Sequence, residues 1–346
     1  MKTFSYRIKD STSGSQLNQL ASAVNFVWNF CNETQHHAVR WDKRWVSSVD
    51  LCKLTTGTST ALGLHSQTIQ AVCQEYAIRR QQHKKRWLRW RSKRSLGWVP
   101  FKASGIVIDG DSITYAGHVF RCWLSRPLEG EIKTGSFSQD ARGRWYVNVT
   151  CEVPAAEPTP GTGEIGVDLG LKNLLTTSDG EVVEAQRFYR DLEPQLAIAQ
   201  RAKKKRRVSA LHAKIKNRRK DFLHKLSTRL VLENILIVVG NVNAAALAKT
   251  KMAKSVLDAG WSMLRTFLEY KALARKVQYI EVNEAFSTQD CSTCLARTGP
   301  VGLPGLSIRE WTCSHCGSLH NRDRNAAHNL LRFGHETLLR EESHAL

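Results

Sequence analysis

FSTQDCSTC (residues 286–294) and REWTCSHCGSLHNRDRNAAHNLL (residues 309–331) decide how this chain is to be read. They contain two C-x-x-C pairs, Cys291 with Cys294 and Cys313 with Cys316. Each pair puts two sulfurs on one tight turn, and two such turns supply the four thiolates of a tetrahedral Zn²⁺ site. The gap between the pairs is that of a zinc ribbon. A structural Zn²⁺ is therefore expected on Cys291, Cys294, Cys313 and Cys316; the alternative is two disulfides or free thiols. Just beyond stands an acid, Asp323, followed by Asn325-Ala326-Ala327. A ribbon closed on a metal would hold the last part of the chain beside whatever Asp323 does.

Bulk composition narrows the partners. The 346 residues carry a formal charge of +20, with a pI near 9.8. An excess of that size, clustered along the chain, implies a polyanion, most simply nucleic acid. A hydrophobic fraction of 42% is enough for well-formed cores, and the length favours two or three domains. Outside the ribbon, Cys31, Cys52, Cys73, Cys122 and Cys151 are isolated, as reduced thiols in a folded interior are. No apolar run reaches the length of a membrane span and no signal peptide opens the chain. A cytoplasmic protein without a membrane partner is expected.

Residues 2–9 alternate apolar and polar, a half-buried strand. From Ser15 the period becomes helical, with Leu17, Leu20, Ala21, Val24, Val27 and Trp28 on one face. A second helix begins near Ser66, its stripe being Ile69, Val72, Cys73 and Tyr76. It leads into a basic run, Arg79, Arg80, Lys84, Lys85, Arg86, Arg89 and Arg91, with Trp87 and Trp90 spaced to share a helix face. Neutralised phosphates release counterions and indoles stack on bases, so nucleic-acid contact is expected here. The alternative is a solvated face with two core tryptophans. Short β-like runs follow at 105–108, 112–115, 118–124 and 131–137, the last forming a hairpin with Trp145–Thr150. With the first strand they suggest a small antiparallel barrel interrupted by a helical insertion. Residues 154–163 are too rich in Pro, Gly and Thr to pack, and read as a linker.

Beyond it, Ile165–Gly170 is a short apolar strand carrying Asp168, followed by two more strands. Next comes a basic helical hairpin over 190–231, bearing Lys203, Lys204, Lys205, Arg206, Arg207, Lys216, Arg218 and Arg219 around an apolar stripe. Ile235–Val239 is a strand ending at Gly240, 254–271 a helix with Leu257, Trp261, Leu264, Phe267 and Leu268 as its stripe, and Val277–Val282 a further strand. The last helix starts near Asn321. This order, with one acid on the first strand and another opening the last helix, suggests an RNase H-like fold. Such folds gather carboxylates from separate strand ends around two Mg²⁺ ions. Asp168 and Asp323 suit that role; helix-cap or turn aspartates are the alternative.

Several segments resemble the TnpB family, transposon-encoded RNA-guided nucleases related to compact type V CRISPR effectors. They are Gly166–Asn173 (GVDLGLKN), Lys254–Trp261 (KSVLDAGW), Glu269-Tyr270-Lys271, the C-x-x-C pairs and Arg322–Asn329 (RDRNAAHN). The likeness runs over essentially the whole chain. It implies a multidomain α+β protein: a wedge β-barrel (1–14 and 96–153), a helical recognition domain (15–95), a linker (154–164), a RuvC-like domain (165–285 and 321–346) and the zinc ribbon (286–320). It also implies a guide RNA derived from the transposon end or a related locus. The target would be double-stranded DNA carrying a short adjacent motif, with guide pairing reading the sequence. No oligomeric state follows from it.

The departures from the family pattern bear on cleavage. The strand at 235–239 usually ends in a catalytic Glu; here Gly240 stands there, and Glu233 lies at the wrong end of the strand. Glu284, just past the neighbouring strand, could lean to the same metals; its alternative is an ordinary loop acid. Asn321 replaces a usual Asp, and Arg324 stands beside Asp323, where it could compete with a cation unless the helix turns it away. Leu295 follows Cys294 where Gly is frequent. These changes favour a guide-directed DNA-binding protein of weakened or lost nuclease activity that represses transcription by occupying its target. The alternative is an active Mg²⁺-dependent endonuclease using Asp168, Glu284 and Asp323. A third reading is a guide-independent DNA-binding accessory of transposition.

Overall fold

The computed structural model describes residues 1–9, 11–154, 161–305 and 307–345. The chain divides into two units, Met1–Pro154 and Ala155–Leu346. Most of the expected linker, 155–160, lies outside the described residues, and its last two positions belong to a strand that starts at Gly163.

In the first unit, β1 (Lys2–Ile8), β2 (Trp98–Lys102), β3 (Ile106–Asp109), β4 (Ser112–Tyr115), β5 (His118–Trp123), β6 (Glu131–Gln139) and β7 (Trp145–Glu152) form one sheet, ordered β2-β6-β7-β1-β5-β4-β3. Its strand pairs are antiparallel. β2 and β3 stand at opposite ends of that order, yet a 3₁₀ turn, Ala103–Gly105, joins them directly. The sheet must therefore curl until its two edges approach, which makes a nearly closed barrel. Alternation does the sorting: Phe4, Tyr6 and Ile8 on β1 and Trp145, Val147, Val149 and Cys151 on β7 all turn inward. β2 is invisible to a strand search because Pro100 interrupts it. A proline is tolerated there because β2 is an edge strand.

Four helices fill the insertion, α1 (Ser11–Arg40), α2 (Ser48–Leu54), α3 (Ser59–Leu62) and α4 (Ser66–Gln82). The expected stripes of α1 and α4 are buried. They do not build a core of their own: Val24, Val72 and Tyr76 belong to the same apolar cluster as Phe4, Phe101, Tyr115 and Phe120 of the barrel. Buried hydroxyls stitch the two together, Thr68 Oγ1 lying 2.6 Å from Tyr115 Oη.

One helical expectation fails. α4 stops at Gln82, Lys84 takes a left-handed φ of 50°, and 83–97 runs irregularly, so Trp87 and Trp90 share no helix face. The reason lies on α1. Asn32 both donates to and accepts from the backbone of Leu88, and Asn29 does the same with Arg91. Two amides one turn apart thus supply the hydrogen bonds that a continued helix would have made internally.

In the second unit, β8 (Gly163–Leu169), β9 (Asn173–Thr177), β10 (Val182–Glu184), β11 (Asn234–Gly240) and β12 (Gln278–Val282) are ordered β10-β9-β8-β11-β12. β8, β11 and β12 run parallel and β9 and β10 antiparallel, the RNase H-like arrangement. β11 is covered on both faces and so reads as a continuous apolar run. Ile237 and Val239 join one core with α6 (Lys205–Glu233), α8 (Ala253–Ala259) and α9 (Trp261–Arg275), while Leu236 and Val238 meet Leu330 on the other face. A short α5 (Glu193–Arg201) pairs with α6 as the expected helical hairpin; α7 (Ala244–Leu247) follows β11. The single helix expected over 254–271 is two helices, because Gly260 adopts φ 72°. Leu257 is consequently 63% exposed, whereas Trp261, Leu264 and Leu268 are buried. Among the described residues no helix is long and apolar enough to cross a membrane.

Candidate active site and metal centre

Between β12 and the last helix the chain forms the ribbon: α10 (Gly302–Gly305), then β13 (Glu310–Thr312) paired antiparallel with β14 (Leu319–Asn321). The sulfurs of Cys291, Cys294, Cys313 and Cys316 all lie within 4.8 Å of one another. This soft, compact donor set is one that Zn²⁺ fits. Each turn closes by a backbone bond, Leu295 N–H to Cys291 O and Gly317 N–H to Cys313 O. Both closing residues take left-handed φ, 65° at Leu295 and 75° at Gly317. Thr298 Oγ1 donates to Cys313 Sγ at 3.2 Å and draws that thiol down to about 5. Nε2 of His320 lies 3.0 Å from Cys291 Sγ. All nine cysteines are free of disulfides.

The ribbon is fastened to α11 (Arg322–Ala345) by two buried asparagines. Asn325 Nδ2 donates to Asp290 O at 2.8 Å and its Oδ1 accepts from Ser292 N–H at 2.8 Å; Asn329 Nδ2 donates to Ser287 O and Asp290 O. α11 in turn lies directly on β8. A Cβ on Gly166 would come within 2.0 Å of Ala327 O, so only glycine permits that approach. Asp323, one turn before Ala327, is thereby placed over the strand that carries Asp168. The opposite side of Asn321 is equally local: its Oδ1 accepts from Arg324 N–H at 3.1 Å and caps α11.

The structure brings together three acids. Burial, and then the charges of Asp323 and Glu284, push the carboxyl of Asp168 up to about 8, against relief from Arg322 and Arg309. Glu284 is likewise raised by burial, with Arg265 pulling the other way. Gly240 pairs in register with Val282 on β12, two residues before Glu284. A Cβ built on Gly240 would stand 3.0 Å from Glu284 Oε2 and 3.2 Å from Glu284 Cβ. The Glu284 side chain thus fills the space that a side chain at position 240 would take. Asn241 steadies this corner, its N–H bonding Val282 O at 2.9 Å and its Oδ1 receiving Glu284 N–H at 3.4 Å.

The cation on Asp323 is Arg309. Arg309 Nη1 lies 3.0 Å from both carboxylate oxygens. Arg324 is turned away toward the β9–β10 turn, where its guanidinium would meet a Cβ on Gly180 at 3.2 Å. Lys172, Arg309, Arg324 and Asp323 line a hollow of about 300 Å³. Nothing in the sequence singled out Arg309. Asn325 and Asn329 were visible only as an i, i+4 amide pair flanking two alanines.

Three of the expected nucleic-acid residues are engaged inside the protein. Arg80 is 9% exposed and donates to Gln35 and Val46 O. Arg91 is held by Asn25 and Leu96 O, with burial lowering its pKa. Arg219 bonds the buried Asp258 at 2.7 Å. Arg79, Lys84, Lys85, Arg86, Trp87, Arg89 and Trp90 are exposed, as are Lys203, Lys204, Lys205, Arg206, Arg207, Lys216 and Arg218.

Comparison with known proteins places the chain. Residues 261–330 match the family described as "Cas12f1-like, TNB domain", and residues 147–251 the family described as "Probable transposase". A Streptomyces pristinaespiralis protein named "Putative RNA-guided DNA endonuclease" is 33% identical over 96% of this chain and 89% of its own length. "Putative RNA-guided DNA endonuclease InsQ" of Escherichia coli K12 is 32% identical over 62% of this chain and 60% of its own. Among solved structures, the Cas12f1-sgRNA-target DNA complex aligns over 95% of this chain and 98% of that one, at 12% identity and a TM-score of 0.40. An RNase H-like α/β fold with a four-cysteine ribbon fastened to the helix that carries Asp323 defines the class. The chain belongs to the TnpB family.

Proposed function

We propose that the chain is an RNA-guided DNA-binding protein whose RNase H-like centre cuts the DNA it binds, with Asp168, Glu284 and Asp323 as the carboxylates. The observation that carries this reading is the Glu284 side chain lying in the space left by Gly240. A carboxylate contributed from β12 then replaces one contributed from β11. Burial, and after it the charges of Asp323 and Glu284, hold the proton on Asp168, a strain that a bound cation would relieve. Mg²⁺ held by these carboxylates would supply water activation and charge stabilisation at the leaving oxygen.

The chain's own residues do the rest. Asp323 is positioned by α11, whose seat on Gly166 leaves little freedom. The hollow beside it, lined by Lys172 and Arg324, suits a phosphate of the bound strand. The exposed basic stretch Lys203–Arg207 suits the backbone of guide RNA or target. Guide pairing would select the sequence, and a short adjacent DNA motif would be read by protein. The four thiolates would hold a structural Zn²⁺, in a cytoplasm that keeps thiols reduced.

Cleavage of guide-matched DNA in Mg²⁺ tests this. Glu284→Ala should lower the rate at least ~10²-fold while guide-directed binding persists; a variant that cuts like the parent sinks the reading. One observation favours a second reading, repression by target occupancy without cutting. Arg309 already neutralises Asp323, and a metal has to compete with it. On that reading guide-matched DNA is bound tightly, Mg²⁺ gives no product, and Arg309→Gln restores some. Binding that ignores the guide sequence defeats both in favour of a guide-independent accessory.

A further inference from the structure

The irregular segment after α4 lines a concavity of about 740 Å³ in the first unit. That volume lies within the range of about 300–1,000 Å³ typical of ligand pockets. Its inner wall is rigid. Asn29 and Asn32 clamp the segment at Arg91 and Leu88, and the Arg91 guanidinium sits 5.8 Å from the Trp28 ring and 5.9 Å from the Trp98 ring. Its outer wall is Lys85, Arg89, Arg94 and Trp90, with no carboxylate among the lining residues. Arg79, also at the wall, is paired with Glu75 at 2.6 Å. Among the described residues, Lys85, Arg89 and Arg94 have no ion-pair partner, and Trp90, 47% exposed, has no ring partner. Trp87 differs, packing edge-on against His36 at 4.9 Å.

An immobilised strip that shows water three unpaired cations around an open indole calls for a ligand with both phosphate and a free π-face. A duplex offers phosphate, but its base faces are covered by neighbouring bases. We propose that this concavity takes an unpaired nucleotide, its base stacked on Trp90 and its flanking phosphates on Lys85, Arg89 and Arg94. The inference rests on the nucleic-acid-binding reading above and names its partner in the first unit. The guide RNA and the DNA strand displaced by guide pairing both offer this chemistry.

The test uses the full chain, titrated with a single-stranded RNA oligonucleotide containing 2-aminopurine, the DNA strand of the same sequence, and the corresponding DNA duplex. Trp90→Ala should weaken single-strand binding about ten-fold and remove the quenching of 2-aminopurine. Trp90→Phe should keep both, Trp87→Ala should leave both unchanged, and duplex affinity should not move. Arg89→Gln and Arg94→Gln should each lower the salt slope by about one. Tighter RNA binding assigns the site to the guide, and tighter DNA binding to the displaced strand. Quenching that survives Trp90→Ala, or an equal loss on duplex and single strand, overturns the proposal. Guide-directed cleavage by the parent chain is read separately, so this pocket can fail while the endonuclease reading stands, and the reverse.

Discussion

The four sulfurs and the three carboxylates of the second unit are each drawn together from separate segments, by opposite means. The sulfurs come from two short turns, each specified within a few residues, and they converge within 4.8 Å. The carboxylates come from the end of β8, the residue after next beyond β12 and the first turn of α11, elements distant in sequence. The sulfur site has little tolerance, because removing one ligand leaves three thiolates without a closed shell. The acids are set by packing rather than by a local turn: the Glu284 side chain fills the space that a side chain at 240 would take.

The sharpest way to break this contrast is to move the carboxylate back. Glu284→Ala should cost at least ~10²-fold in Mg²⁺-dependent cleavage, and adding Gly240→Glu to it should recover part of the loss in the same assay. Gly240→Glu alone should impair, since its Cβ would press on Glu284 at 3.0 and 3.2 Å. A double variant no better than Glu284→Ala would show that position 240 is no route to the site. Next in size, Cys313→Ser should take bound zinc from one per chain to near none by elemental analysis. Because metal binding is coupled to folding, it should lower Tm by about 10 °C. Full zinc retention would remove the sulfur half of the comparison.

A smaller effect follows from Asp168. Its carboxyl is pushed up to about 8, above the 3.8 of a free aspartate, so between those values the folded protein keeps a proton that the unfolded chain releases. Metal-free stability should therefore fall as pH rises through that window and level off above it. Asp168→Asn should raise the metal-free Tm at pH 8 by about 2–6 °C, with the gain vanishing toward pH 4. A variant whose Tm follows the parent at every pH would deny the strain. Smallest of all, Leu295→Gly relieves a left-handed residue at the first sulfur turn. The relief of about 1–2 kcal/mol is partly cancelled by the entropy of glycine, about 0.4–1 kcal/mol. Zinc release to a chelator should slow slightly; faster release would mean that the Leu295 side chain supports the turn.

Much of this architecture is legible before any coordinates. Phe4, Tyr6 and Ile8 announce β1 by alternation, the α1 and α4 stripes are the buried ones, and the two C-x-x-C turns locate the four-sulfur cluster. Three features escape the local pattern for different reasons. Pro100 hid an edge strand, Gly260 broke a helix through a backbone angle, and Asn29 and Asn32 replaced a helix with a clamped loop. Only in the last did a partner remote in sequence override the local pattern. The basic residues show it too: Arg80, Arg91 and Arg219 look like their neighbours in the sequence, but each is claimed by a distant side chain or carbonyl.

By itself the sequence determined the ribbon, the strand and helix order, the basic partner-seeking runs and the two acids Asp168 and Asp323. Those features depend on spacing and periodicity, which act over a few residues. Only the tertiary structure decided that Glu284 occupies the place left by Gly240, that Arg309 rather than Arg324 holds Asp323, and which arginines remain outside. These are meetings of segments separated along the chain, and where a side chain arrives is set by the packing of helices on sheets, not by its neighbours in the chain.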